Sequence, residues 1–295
     1  MGAHPRNALL AGALVVLVAC GGGGSRTETS PGPGRPAASI SPAAAPLPAT
    51  TPAEATSTAL RVEPPLTDCQ RIAASVASRH PDAQQLVIVR TETATDTTAV
   101  VQLADRSGAT WVCGPELAGR VGRNGVRPLL ERRSGDGTTP AGVFPLGTMT
   151  AYDGEAFSFF GNGADPGVTA GPYRRVLAGD CFGATAGTAG YGHLRYQPAC
   201  PGPDDEYLPR FTEAYVHAAL IGANMEPHVS GDEPGEIPYA SAIFLHRNSY
   251  TAGGASKPTS GCVSLATDDL VGVLQAMRPD AMFAIGTSEW LQTAA

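Results

Sequence analysis

Two residues in the last quarter of the chain could carry out chemistry together, His246 and Cys262. His246 ends the apolar run Ala242 to Leu245, whose β-branched and aromatic content reads as a buried strand with an imidazole at its mouth. The segment from Ser249 to Lys257 is rich in Gly, Ala and Ser and reads as a mobile loop. It returns the chain to Ser260-Gly261-Cys262, where the glycine permits a tight turn beside a thiol. A strand-end imidazole and a turn-borne thiol that meet in space form a nucleophile and its base, with His246 drawing the proton off Cys262. Three plainer readings compete: a satisfied core histidine, a cysteine in a disulfide, or two ligands of a metal.

The residues around the pair narrow the choice. Thr259-Ser260-Gly261-Cys262 follows His246 across a short loop. Upstream, Gly122-Arg123-Asn124-Gly125 precedes a glycine-rich run containing Gly135-Asp136-Gly137, Thr139-Pro140-Ala141-Gly142, Phe144 and Leu146. Together these blocks resemble the L,D-transpeptidase catalytic (YkuD-like) family, over about Arg120 to Gly286. That family carries a His at a strand end, a loop, and then Ser/Thr-His-Gly-Cys. His246, Thr259, Gly261 and Cys262 match it. Ser260 stands where most members have a second His, and Ser264 where many have Arg or Asn.

The resemblance implies a β-sandwich or barrel catalytic domain acting on peptidoglycan stem peptides without a cofactor. Cys262 would attack the carbonyl of the third residue of a stem tetrapeptide and expel D-alanine. An amine from a neighbouring stem would resolve the thioester as a 3→3 cross-link. His246 serves as base and then acid. The backbone around Gly261 and Cys262 supplies oxyanion donors, and Ser260 either adds a hydroxyl or simply fills the turn. Thr259 and Arg247 flank the motif as candidate substrate contacts. In the doublets Arg132-Arg133 and Arg174-Arg175, Arg133 and Arg174 are candidates for holding substrate carboxylates, against a solvated-surface alternative. Because Ser260 and Ser264 are smaller and neutral, a looser hold on the acceptor is expected, with some hydrolysis beside transfer. The alternatives are an L,D-carboxypeptidase or other hydrolase of the same fold, and a catalytically silent wall-binding lipoprotein. Papain-like and NlpC/P60-type enzymes are disfavoured because their cysteine precedes the histidine.

The elements that position this site are preceded by a leader. Residues 1–19 read as a signal segment, with Arg6 in a positive stretch and an apolar run from Ala8 to Ala19 too short for a permanent span. Leu17-Val18-Ala19-Cys20 resembles a bacterial lipobox, making Cys20 the lipid-bearing residue; cleavage nearby with Cys20 incidental is the alternative. Either way the chain is exported, and the lipobox reading puts it on the outer face of the cytoplasmic membrane. Residues 20–65 are Gly, Pro, Ala, Ser and Thr with few large apolar groups, the composition of a disordered tether.

Residues 66–295 suffice for one core, expected to be mainly β with a few helices. Helices are expected over Thr67 to Arg79, Phe211 to Leu220, and Asp268 to Met277 with Thr267 as cap. Strands are expected at Leu86 to Val89, Ala99 to Leu103, Thr110 to Cys113, Val143 to Leu146 (an edge or bulge, given Pro145) and Ala281 to Ile285. Gly154 to Pro209 reads as loops around the site.

The six cysteines stand at 20, 69, 113, 181, 200 and 262. With Cys20 outside the domain, an odd number remains in an oxidising compartment, so at least one thiol is unpaired. Cys69 with Cys113 and Cys181 with Cys200 are the simplest pairs among the possible connectivities, and they leave Cys262 free. The histidine spacing does not favour a metal. A net charge of −7 with lysine nearly absent argues against a nucleic-acid partner. The oligomeric state is left open.

Overall fold

The structure, a computed structural model, describes residues 64–225, 229 and 236–293. The signal segment, Cys20 and the tether up to residue 63 lie outside the described residues, as does His228.

The chain enters helix α1 (Asp68–Arg79) through a capping box in which Thr67 and Gln70 each satisfy the other's backbone N–H. It continues through strands β1 (Gln85–Thr91), β2 (Thr98–Ser107), β3 (Thr110–Cys113), β4 (Leu117–Arg120), β5 (Val126–Pro128) and β6 (Thr139–Pro145). Short strands follow: β7 (Met149–Thr150), β8 (Ala156–Phe157), β9 (Phe159–Gly161), β10 (Tyr173–Arg175), β11 (Asp180–Phe182), β12 (Leu194–Tyr196) and β13 (Glu206–Tyr207). The last part holds β14 (Ala218–Leu220), β15 (Phe244–Arg247), β16 (Val263–Leu265), α2 (Thr267–Ala276), β17 (Ala281–Thr287) and α3 (Ser288–Thr293). The domain is mainly β with few helices, as its composition of short apolar runs implies.

A 12-stranded mixed sheet runs β10-β9-β14-β15-β16-β4-β2-β1-β17-β6-β5, with β3 attached to β2. β1 lies between β2 and a parallel β17 and is buried along its whole length. A strand covered on both faces needs apolar residues on both, hence the unbroken Leu86-Val87-Ile88-Val89. Leu86 and Ile88 pack on Ile72 and Val76 of α1 and Leu291 of α3. Val87 and Val89 face a second core that includes Leu270, Val273 and Leu274 of α2. A disulfide between Cys69 and Cys113 ties α1 to β3, and one between Cys181 and Cys200 ties β11 to the loop after β12.

Several expectations change. Phe211 to Leu220 is not a helix: Tyr215 N–H bonds to Phe211 O in a single turn, and the chain then becomes β14. The spacing of Phe211, Tyr215 and the following alanines imitates a helical face. The ladder bonds to β9 on one side and β15 on the other override it. Gly154 to Pro209 is not only loop but holds β8 to β13. The edge expected from Pro145 is kept: β5 pairs only with Thr139, Pro140 and Ala141, so Val143 to Pro145 has β17 alone as ladder partner, and β6 ends at Pro145. Thr267 is the first residue of α2 rather than its cap, and its Oγ1 accepts from Arg247 Nε at 2.9 Å. The strand carrying His246 begins at Phe244, because Ala242 is held at φ 53, a left-handed conformation incompatible with a strand. Ser249 to Lys257 closes on itself through a Tyr250–Ser256 bridge and a Lys257 N–H bond to Ser249 O at 2.8 Å.

Candidate active site

β15 and β16 pair in parallel with Leu245 opposite Val263 and His246 opposite Ser264. Side chains alternate along each strand. Leu245, Val263 and Leu265 therefore face one core, while Phe244 and Cys262 face an aromatic cluster with Phe160, Phe182 and Tyr215. His246 lies two residues beyond Phe244, on the same face. The ring of Tyr215 stands edge-on to it at 5.4 Å between centroids, and to Phe244 at 5.7 Å. The sheet register thus places imidazole and thiol on one face of neighbouring strands.

Cys262 is the one free cysteine among the described residues, and it is 8 % exposed. Its Sγ donates to Ala242 O at 3.3 Å and accepts from Phe244 N–H at 3.4 Å. His246 Nδ1 lies 2.7 Å from the carbonyl of Arg247. A carbonyl can only accept, so Nδ1 carries the proton and Nε2 is left with its lone pair. Burial pulls the imidazole down to about 4. Burial, reinforced by the charge of Glu206, pushes the thiol up to about 12, against the Phe244 N–H and Arg132. The resting pair is a neutral thiol and a neutral imidazole.

The turn that presents Cys262 is clamped from two directions. Thr259 Oγ1 accepts from Gly261 N–H at 3.1 Å and donates to Cys262 O at 2.6 Å. The glycine-rich run supplies Thr139, whose Oγ1 donates to the same carbonyl at 3.2 Å and accepts from Gly122 N–H at 2.8 Å. Gly261 is at φ +151, and a Cβ there would meet Thr138 O at 3.1 Å. Only glycine fits this turn without strain. Asp136 organises the run by accepting from Thr138 N–H at 2.8 Å, Thr138 Oγ1 at 2.6 Å and Arg133 N–H at 3.1 Å. These bonds outweigh the burial of its carboxyl and lower its pKa.

A cavity of about 410 Å³ opens over Cys262, Gly261 and the exposed Ser260. Arg132 lines it and is buried; its guanidinium holds Thr138 O at 3.0 Å and the carbonyl of Tyr239. Burial lowers the Arg132 pKa, partly offset by Asp136. Glu206 also lines the cavity, and its Oε2 accepts from the Tyr215 hydroxyl.

No family model matches the chain, and no curated protein matches it. What the site can do rests on its own geometry.

Among the residues expected from sequence, Cys262, Gly261 and Ser260 line the cavity, Thr259 clamps their turn, and His246 stands on the neighbouring strand against Tyr215, outside the cavity lining. Arg247 turns away to Glu213 and Thr267, and only its carbonyl serves the site. Arg133 lies over the Tyr239 ring at 4.4 Å, and of that doublet it is Arg132 that reaches the cavity. Arg174 is a correction: it is 1 % exposed and bonds Asp153 at 2.7 Å, Glu155 at 2.6 Å and Asp180 at 3.0 Å, so it is a buried structural cation. Ser264 is also buried, against Asn248, so its small size cannot loosen the cavity as expected. Glu206 and Tyr215 were not foreseen. Glu206 comes from a stretch without periodicity, and Tyr215 from one whose helical spacing misled.

Proposed function

We propose that this chain is a cysteine-dependent acyltransferase of the L,D-transpeptidase type, acting on peptidoglycan stem peptides. The observation that carries the reading is the free Cys262 in a turn that requires glycine, at the start of the strand beside a histidine whose Nε2 is kept unprotonated. The hydrogen bond from Thr139 to Cys262 O adds support, because it joins the two sequence blocks that resemble the YkuD-like fold.

The chemistry follows from the resting protonation. A thiol pushed up to about 12 is not a standing thiolate, so its proton must move as the sulfur attacks. The S–H turns from the Ala242 carbonyl to His246 Nε2, and Sγ bonds to the carbonyl carbon of the third stem residue. Gly261 N–H is already held by Thr259, which leaves the Cys262 N–H and the Arg132 guanidinium to meet the oxyanion. Collapse breaks the peptide bond, and His246 returns the proton to the leaving D-alanine nitrogen. An amine from a second stem then attacks the thioester and restores the thiol. Water in its place gives the carboxypeptidase outcome.

The test is mass spectrometry of the purified protein with a tetrapeptide-bearing muropeptide. Expected are D-alanine release, an acyl adduct on Cys262 and a cross-linked product, all lost in Cys262→Ala. Normal turnover in that variant rejects the mechanism, and tripeptide alone at high acceptor concentration rejects transfer in favour of hydrolysis. The companion proposal is a lipid on Cys20 holding the domain at the outer face of the cytoplasmic membrane. Cys20→Ala should move the protein to the soluble fraction, and an unchanged distribution refutes the anchor.

A further inference from the structure

The cavity over Cys262 is lined by groups of both charges, Arg123 and Arg132 with Asp204, Asp205 and Glu206. Asp205 is occupied by its own loop: Oδ1 accepts from the N–H groups of Ala184 and Thr185, each at 2.9 Å, and Oδ2 from Gly202 at 3.1 Å. Glu206 is placed differently. It pairs with Phe182 in the β11–β13 ladder, faces the same space as Cys262, and accepts the hydroxyl of Tyr215 on Oε2. The carboxylate and the thiol thus line one cavity, and Tyr215, which holds the carboxylate, also packs edge-on against His246.

Amide formation from an amine acceptor demands two proton removals. In water near neutral pH the acceptor arrives as an ammonium, which has no lone pair. One proton must leave before attack, and a second leaves as the new C–N bond forms. His246 can take only one of them, the one it passes to the departing Cys262 sulfur. We propose that Glu206 receives the ammonium of the acyl acceptor and takes the first of its two protons. This inference rests on the acyl-transfer reading above and adds the group that selects an amine over water.

The balance closes in both half-reactions. In deacylation, Glu206 carboxylate becomes carboxylic acid as the ammonium becomes an amine. The amine then attacks the thioester, His246 takes its second proton, and the thiol reforms. In acylation the order reverses: His246 protonates the leaving nitrogen, and the protonated Glu206 converts the free amine to an ammonium. Such a group works best when it titrates near working pH. Burial raises the Glu206 carboxyl to about 7, against the lowering pull of the Tyr215 hydroxyl. The charged or titratable groups that bond it or line the same cavity are Tyr215, Cys262, Asp204, Asp205, Arg123 and Arg132.

The experiment compares two acceptors on the full-length protein acylated by a tetrapeptide-bearing muropeptide. One is a D-amino acid, an ammonium at pH 7; the other is hydroxylamine, which is neutral there. Glu206→Gln keeps an oxygen for Tyr215 and loses the base. Transfer to the D-amino acid should fall by about 10²-fold, the lower end for a removed general base, while transfer to hydroxylamine stays within about twofold. Equal losses with both acceptors, or no loss with the D-amino acid, overturn the proposal. Should the variant not fold, the wild-type protein decides. Its D-amino-acid to hydroxylamine ratio, corrected for the ionisation of each acceptor, should bend near pH 7, and a flat ratio overturns the proposal. A wild-type protein that forms no acyl-enzyme would fell the acyl-transfer reading itself, and this inference with it. Normal acylation with indiscriminate transfer sinks the role of Glu206 alone.

Discussion

Thr139 Oγ1 donates a hydrogen bond to the carbonyl of Cys262 at 3.2 Å, across 123 residues of sequence. The same hydroxyl accepts the Gly122 N–H, so one side chain fastens the Cys262 turn to the strand end before β5. Thr139→Val keeps the shape and removes both bonds. It leaves the Gly122 N–H unpaired in a buried place, at a cost of about 1–3 kcal/mol. For a domain of this size each kcal/mol lowers Tm by about 2–4 °C. Thermal melts should show that fall, accompanied by slower D-alanine release from the displaced turn. An unchanged Tm would mean the bond carries no weight.

Gly261→Ala tests the turn from the other side. At φ +151, with Thr138 O 3.1 Å from the new Cβ, the backbone has to shift. Strain of this kind costs about 1–3 kcal/mol. Gly108→Ala, at φ +61 in the β2–β3 hairpin with nothing near its Cβ, is the matched control. Both variants should lose stability in denaturant unfolding, but only Gly261→Ala should lose turnover per folded molecule. Equal retention of activity would show that the turn geometry is not required.

Much of the framework was legible because it depends on local rules. The apolar run Leu86 to Val89 read as a strand and the spacing from Thr67 to Arg79 as a helix, and both are found. Cysteine parity isolated Cys262, and the structure pairs the other four described cysteines as the simplest assignment had them. What was not legible depends on tertiary partners. Arg174 and Arg133 were doublet arginines with no sequence mark of burial, and one proves to be buried among three carboxylates. Tyr215 sat in a false helical pattern because strand pairing, invisible along the chain, overrode its spacing. Glu206 became a site residue only when β13 joined β11.

Arg174 provides a prediction that separates structure from substrate binding. Its partner Asp180 is 0 % exposed, so Arg174→Met strands a buried carboxylate. Breaking a buried pair from one side costs about 3–5 kcal/mol. The urea midpoint should drop accordingly, while KM for the muropeptide stays unchanged wherever the protein is still folded. A raised KM with normal stability would restore the substrate-binding role. The double change Arg174→Met, Asp180→Asn should recover part of the loss, since no unpaired charge is left at the most buried position.

Cys262 fixes the pH behaviour. Burial first, then the Glu206 charge, raise its folded pKa to about 12, above the ordinary thiol value of about 8.5. The folded state therefore holds its proton more tightly than the unfolded chain. That preference stabilises the fold fully below about pH 8.5 and is lost as pH rises toward 12. Denaturant midpoints of the native protein should fall between pH 8.5 and 10.5 more steeply than those of Cys262→Ala, which has no thiol to ionise. The same shift governs reactivity, because only the thiolate attacks alkylating reagents. Iodoacetamide labelling of Cys262 should be slow at pH 7 and climb about tenfold per pH unit through pH 10 without levelling. His246, pulled down to about 4, adds no inflection near neutrality. A rate that levels off below pH 8 would reveal a standing thiolate–imidazolium pair, and proton transfer coupled to attack would have to be abandoned.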